Sequence, residues 1–236
     1  MAGAQATTEE RRLGPRSRLL LQTIEARLRP RLLEVLLAPD EPQKMTYEEF
    51  LEWADEDSHA EWVDGEVEFM SPASDDHQDI GGFLIALMRI FVQYHALGWV
   101  RHAPFQMKTG RDLPGREPDI VYLGKANLHR LKRTFIDGPA DLAVEIMSPE
   151  SVGRDQVDKF NEYAQGGVSE YWLIGPMNRT AEFFQLEGNQ YRTILAGSEG
   201  EFHSLVLSGF WLRVEWLWQE PKPLELDVLR LLGVLP

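Results

Sequence analysis

The segment Asp141–Met147 (DLAVEIM) restricts the fold more than any other stretch of the chain. It has strand length and is apolar, with one carboxylate, Glu145, in its interior. Short unbroken apolar runs of this kind are read as strands covered on both faces. That calls for helices above and below a sheet, and the neighbouring segments supply them. Thr46-Tyr-Glu-Glu49 is a capping box that opens a short helix to about Ala54. Glu61–Met70 reads as a hairpin about Asp64-Gly65. Ile80, Leu84, Leu87, Ile90, Tyr94 and Leu97 give residues 77–97 one apolar helical face, closed by Gly98. Residues 99–108 and 117–123 read as strands, 155–165 as a helix ended by Gly166-Gly167, and 169–174 as a strand. A second hairpin, 179–186 with 190–195, turns at Gly188-Asn189. The order predicts an α/β (α+β) protein with a mixed central sheet. We divide the chain into an arm at 1–44, a domain at 45–200 and a closing segment at 201–236 packed on that domain.

Charge is unevenly distributed. The 236 residues hold 24 Lys and Arg against 38 Asp and Glu, a formal charge of −14. Seven Arg and one acid lie between Arg11 and Arg31, whereas Met45–Met88 holds thirteen acids and no Lys or Arg. Residues 17–37 read as an amphipathic helix interrupted by Pro30, which favours docking on the body or on a second copy of the chain in a homodimer. No run nears the roughly 20 apolar residues of a membrane span. The chain has no cysteine, which removes disulfides, thiol nucleophiles and thiolate metal sites and fits a cytoplasmic location.

Several chemistries lack their motifs. There is no G-x-x-x-x-G-K-[ST], no G-x-G-x-x-G after a strand, no H-E-x-x-H and no G-x-S-x-G. What remains is carboxylates and one lysine. Asp119 begins a strand in Glu-Pro-Asp-Ile-Val, behind Pro118. Glu145, charged in an apolar strand, costs several kcal/mol by order of magnitude unless it is paired or holds a metal. An exposed strand face or a salt bridge to Lys or Arg accounts for it equally. Lys159 lies on the following helix, where packing could turn it back toward Glu145; the alternative is a solvated surface lysine. Glu61 is a third carboxylate in a semi-apolar setting. His77 heads the long helix, either as a ligand or base or as an ordinary first-turn residue. Hard oxygen ligands suit Mg²⁺ or Mn²⁺.

Read in order, these residues resemble a known family. Glu61-x-x-Asp64-Gly65, Met70-Ser71-Pro72, His77, Glu117-Pro118-Asp119-Ile120-Val121, Val144-Glu145-Ile146-x-Ser148-Pro149, Asp155-x-x-x-Lys159-x-x-x-Tyr163 and Gly167-Val168-x-Glu170-Tyr171-Trp172-Leu173-Ile174 are similar to the Uma-type restriction endonucleases, within the PD-(D/E)XK nuclease superfamily. The resemblance spans about residues 45–195. It implies a restriction-endonuclease-like αβββαβ core and Mg²⁺- or Mn²⁺-dependent hydrolysis of phosphodiesters in nucleic acid, with DNA the expected substrate. It makes Asp119, Glu145 and the backbone carbonyl of Ile146 the metal ligands, Lys159 the group beside the attacking water, and Glu61 the residue that completes the acidic cluster. The superfamily pattern sets its lysine two residues after the Glu. Met147 stands there, so the resemblance assigns that part to Lys159.

The acidic body demands that any surface for nucleic acid be local. Lys108, Arg111, Arg116, Lys125, Arg130, Lys132, Arg133 and Arg154 flank the expected site as candidate phosphate contacts. The competing reading is a catalytically inactive nuclease fold kept as an interaction or regulatory module. A carboxylate pair also suits glycoside hydrolysis, but the sequence lacks aromatic sugar platforms.

Overall fold

The computed structural model of the chain describes residues 44–54, 60–70, 72–110, 112–148, 151 and 153–236. The predicted helix at 17–37 and the candidate Arg111 lie outside the described residues.

Residues 47–236 begin with helix α1 (Tyr47–Trp53) and the hairpin β1 (Ala60–Val63) and β2 (Glu66–Phe69). The hairpin turns at Asp64 (φ 50°) and Gly65 (φ 93°), the positive angles of a type I′ turn. Helix α2 (Asp75–Tyr94) starts two residues earlier than its periodicity predicts. The Ser74 side chain accepts from the His77 amide at 3.3 Å, and Asp75 and Asp76 lie in the electropositive first turn.

The strand expected over 99–108 is two strands in different sheets: β3 (Gly98–His102) and β4 (Gln106–Lys108). The break falls at Pro104, which has no amide hydrogen to offer a ladder. The strand expected at 117–123 likewise begins only at Ile120, as β6 (Ile120–Gly124), beyond Pro118. Before it, β5 (Gly115–Arg116) pairs with β1 and β4. Strand β7 (Phe135–Asp137) runs parallel to β4. Five strands thus form a separate sheet in the order β2-β1-β5-β4-β7, beyond the single central sheet expected from the element order.

The larger sheet is mixed, as expected. Strands β8 (Leu142–Ile146), β9 (Glu170–Gly175), β10 (Thr180–Glu187) and β11 (Gln190–Gly197) join β6 and β3 in the order β11-β10-β9-β8-β6-β3. Only β8 and β9 pair in parallel. Their crossover contains a π-helical turn, Arg154–Lys159, and then α3 (Phe160–Gly166). Gly167 ends the helix in the left-handed conformation that favours glycine (φ 91°).

Both faces of β8 are covered, and its two-residue period assigns each side chain a side. Leu142, Val144 and Ile146 join Leu84, Leu87 and Phe91 of α2 in one core. Ala143 and Met147 join Tyr163 of α3 and Tyr171 in another. Glu145 shares the second face and is therefore turned toward the crossover. The C-terminal stretch adds β12 (Glu201–His203), β13 (Trp211–Arg213) and α4 (Glu225–Leu231). Its Phe202, Phe210, Leu212 and Val228 enter the core beneath α2. Phe183 and Phe202 stack there with ring centroids 4.0 Å apart.

Candidate active site

The crossover aims its first turns back at β8. Lys159 Nζ lies 3.0 Å from Glu145 Oε1 and 3.0 Å from Glu61 Oε1, and is 1% exposed. Asp155, one turn earlier at i−4, approaches the same ammonium at 3.4 Å. Tyr163, at i+4 from Lys159, donates its hydroxyl to Glu145 Oε1 at 2.6 Å. A helical period therefore places Asp155, Lys159 and Tyr163 on one face, opposite the carboxylate of the buried strand.

Glu61 stands behind this cluster at the start of the hairpin, fully buried. One oxygen accepts the Glu117 amide at 3.1 Å and the other takes the Arg116 guanidinium at 2.9 Å. Arg116 reaches on to Glu162 through two bonds of 2.7 Å. A continuous buried ion network thus joins the small sheet to the crossover.

Asp119 sits where the chain leaves Pro118 to enter β6. Its Oδ2 accepts the Ile146 amide at 2.6 Å, which holds the aspartate against the end of β8. Its Oδ1 lies 3.2 Å from His77 Nε2. A cleft of about 640 Å³ opens at this point, lined by His77, Glu117, Asp119, Glu145, Arg154 and Lys159 among others. Ile146 and Asp155 also line it, whereas Glu61 does not.

The electrostatics follow from burial and an excess of acids. Complete burial raises the Glu145 carboxyl well above the ordinary range, and repulsion from Asp155, Asp119 and Glu61 adds to this against the pull of Lys159. Burial works against the charge of Lys159, yet Glu145, Glu61 and Asp155 hold the ammonium above its usual pKa. Burial also opposes the charge of Glu61, but Lys159, Arg116 and the Glu117 amide lower it to about 2. Glu117 is pushed up to about 7, mainly by burial, with Gln106 opposing and Glu61 and Asp119 repelling. Despite its burial, the His77 imidazole is held above its ordinary value by Asp119.

The structure brings Glu61, Glu145 and Lys159 into one ion cluster and sets Asp119 in the cleft that Glu145 and Lys159 line. The sequence motifs contain Glu117, Asp155 and Tyr163, but sequence reasoning assigned them no role. The i, i+4 spacing of Asp155, Lys159 and Tyr163 was the available signal for two of them, and adjacency to Pro118-Asp119 for the third. His77 was weighed and set aside, and it lies against Asp119. The phosphate candidates divide. Arg116 is corrected to a buried structural cation, since its neighbours Glu61, Glu68 and Glu162 are carboxylates from other elements. Lys108 packs over the rings of Trp62 and Tyr47, and Arg130 binds the Pro139 carbonyl. Lys125, Lys132 and Arg133 are exposed, and Arg154 alone of the described candidates lines the cleft.

Among the described residues, no three His, Cys, Asp or Glu side chains form a ready-made metal cage. A hard dication does not need one. Magnesium is commonly held by one or two carboxylates, with waters and substrate oxygens completing its shell. Glu61, Glu117, Asp119, Glu145 and Asp155 crowd this region against the buried cations Lys159 and Arg116. The donor set at the cleft is mainly carboxylate oxygen, with the His77 imidazole beside Asp119, and holds more acids than cations, which fits such an ion.

Fold and cleft together define a restriction-endonuclease-like α/β protein. The family model Uma2, described as "Putative restriction endonuclease", matches residues 47–215, and the chain belongs to that family. Among solved structures, a putative nuclease of the DUF820 group from Anabaena variabilis is similar in fold, with a TM-score of 0.63. The two share 16% sequence identity over 74% of this chain and 97% of that one. No curated protein matches. Among the described residues, no helix is long and apolar enough to cross a membrane.

Proposed function

We propose that the protein is a divalent-metal-dependent endonuclease that hydrolyses phosphodiester bonds of DNA at the cleft of Asp119 and Glu145. The observation that carries this reading is the placement of Lys159, whose ammonium touches Glu145 although it comes from a separate element. Membership in a family described as restriction endonucleases supplies the substrate class.

Asp119, Glu145 and the Ile146 carbonyl are the groups that would hold the metal. A divalent cation there supplies Lewis-acid polarisation of a phosphoryl oxygen and a more acidic water. The protein's own residues do the rest. The Ile146 amide donates to Asp119 Oδ2, and this 2.6 Å bond sets one carboxylate oxygen against β8. Tyr163 sets the Glu145 carboxylate from the opposite side. Lys159, held protonated by three acids, acts as a donor and a fixed charge rather than as a base. In that state it orients the attacking water and offsets negative charge growing on the phosphoryl group. Glu61 acts through Lys159, holding it in the buried network.

The test is cleavage of supercoiled plasmid and of labelled DNA with Mg²⁺ or Mn²⁺. Asp119→Ala and Glu145→Gln should each abolish cleavage and weaken Mn²⁺ binding in calorimetry. Wild-type cleavage retained by either variant would overturn the assignment.

A further inference from the structure

A second pocket, with two arginines in its lining, lies along the edge of the large sheet. It measures about 260 Å³ and is lined by Arg89 and Gln93 of α2 and by Trp99, Val100 and Arg101 of β3. Among the described residues, strand β3 is the outermost strand of its sheet, so this pocket lies at a sheet edge.

The Arg101 guanidinium lies over the Trp99 ring, 4.3 Å from the ring centroid, and donates one bond of 3.0 Å to the Val100 carbonyl. Those two contacts fix the plane of the guanidinium and leave further N–H groups undirected. Arg89 stands near enough to repel it. Burial first, and then Arg89, lowers the Arg101 pKa, with no carboxylate acting on it among the described residues. Among the described residues, the exposed Arg192, Arg213 and Arg230 face the acids Glu187, Glu201 and Asp227, in a chain with a formal charge of −14. Two neighbouring guanidiniums without an acid form a site short of one anion.

The pocket also has a direction. Strand β3 runs from Trp99 through Arg101 to the cleft, where Ala103 is a lining residue and its amide donates to the Asp119 carbonyl. Arg101 and Ala103 are two residues apart, roughly 7 Å along a strand. At roughly 3.4 Å per nucleotide along one strand of a helix, that spans about two nucleotides.

We infer that Arg89 and Arg101, with Trp99 holding Arg101 in place, form a subsite for a backbone phosphate of the nucleic acid about two nucleotides or more from the bond cleaved at Asp119 and Glu145. This rests on the proposed nuclease function and adds the track along which the strand lies. It also answers how so acidic a protein holds a polyanion: the contact is confined to one sheet edge.

The test is fluorescence anisotropy with a fluorescein-labelled 20-nucleotide DNA, single-stranded and as duplex, in Ca²⁺ at 50–200 mM NaCl. Arg89→Gln with Arg101→Gln should weaken binding at least tenfold at 100 mM salt. The slope of log K against log salt should fall by between about one and two, for two lost phosphate contacts. Trp99→Ala, which frees the Arg101 plane, should weaken binding less and leave the slope nearly unchanged. Arg192→Gln with Arg213→Gln removes two positive charges elsewhere and should change affinity by less than threefold. Arg89→Lys with Arg101→Lys should restore the slope, and matching melting temperatures exclude misfolding as the cause. Wild-type affinity and slope in the Arg89 and Arg101 double glutamine variant overturn the subsite and leave the nuclease reading standing. A wild-type protein that binds neither DNA overturns both.

Discussion

Tyr163 and Lys159 meet on a single oxygen of Glu145, at 2.6 Å and 3.0 Å. The strand that carries this carboxylate is buried on both faces, and both of these partners come from the crossover. Removing the hydroxyl with Tyr163→Phe leaves the ring in place in its core and deletes one buried donor. Loss of a buried hydrogen bond to an acceptor of this kind costs about 1–3 kcal/mol. Urea denaturation should show that loss with an unchanged m-value. An equal stability for the variant would mean that the bond contributes nothing net.

Lys159 is surrounded by Glu61, Glu145 and Asp155, and truncating it takes a positive charge from beside all three. Lys159→Met should destabilise the fold by about 3–5 kcal/mol, as expected when one member of a buried ion cluster is removed. Adding Glu145→Gln to it takes away one of these acids. The double variant should therefore be less damaged than the sum of the singles, by about 1 kcal/mol or more. Strict additivity in a double-mutant cycle would show that the two side chains do not interact energetically.

Glu61 sets an acid limit on the fold. Its carboxyl is lowered from 4.5 to about 2, so the folded state holds the unprotonated form more tightly than the unfolded chain does. The stability this supplies is complete above the unfolded value of 4.5 and drains away as pH falls through about 2. By linkage it amounts to about 3 kcal/mol. Glu61→Gln should be less stable at pH 7, and the difference from wild type should shrink between pH 5 and pH 2 in acid-urea titrations. A constant difference over that range would rule out Glu61 as the group responsible.

Much of this was legible in the chain, and the failures have physical causes. The buried strand at 141–147 announced itself because a doubly covered strand needs an unbroken apolar run. Ile80, Leu84 and Leu87 announced α2 because an amphipathic helix repeats on one face. The division of 99–108 and 115–124 between two sheets was not readable, since periodicity records which residues are extended and not which partner strand each one meets. Pro104 and Pro118 marked the breaks without saying where the chain goes next. At the site, Glu145 was conspicuous because its charge contradicts its surroundings. Arg116 was misjudged as a phosphate contact for the opposite reason: a cation in a turn-rich segment looks solvated until Glu61 and Glu162, 55 residues before it and 46 after, are brought to it by the fold.

Two glycines give substitutions of opposite sign. Gly98 opens β3 opposite Gly124, and a methyl group there would run into the Leu123 carbonyl, which is backbone and cannot swing aside. Gly98→Ala should therefore cost at least about 2 kcal/mol and loosen the start of the edge strand that carries Trp99 and Arg101. Gly82 lies on the exposed side of α2, and a methyl group there meets nothing within 4 Å. Alanine is about 1 kcal/mol better than glycine inside a helix, so Gly82→Ala should stabilise by about that amount. Thermal unfolding of the two variants against wild type should move the midpoint down for the first and up for the second. A stabilised Gly98→Ala would contradict the close approach of β3 to β6, and a destabilised Gly82→Ala would mean that this face of α2 is covered.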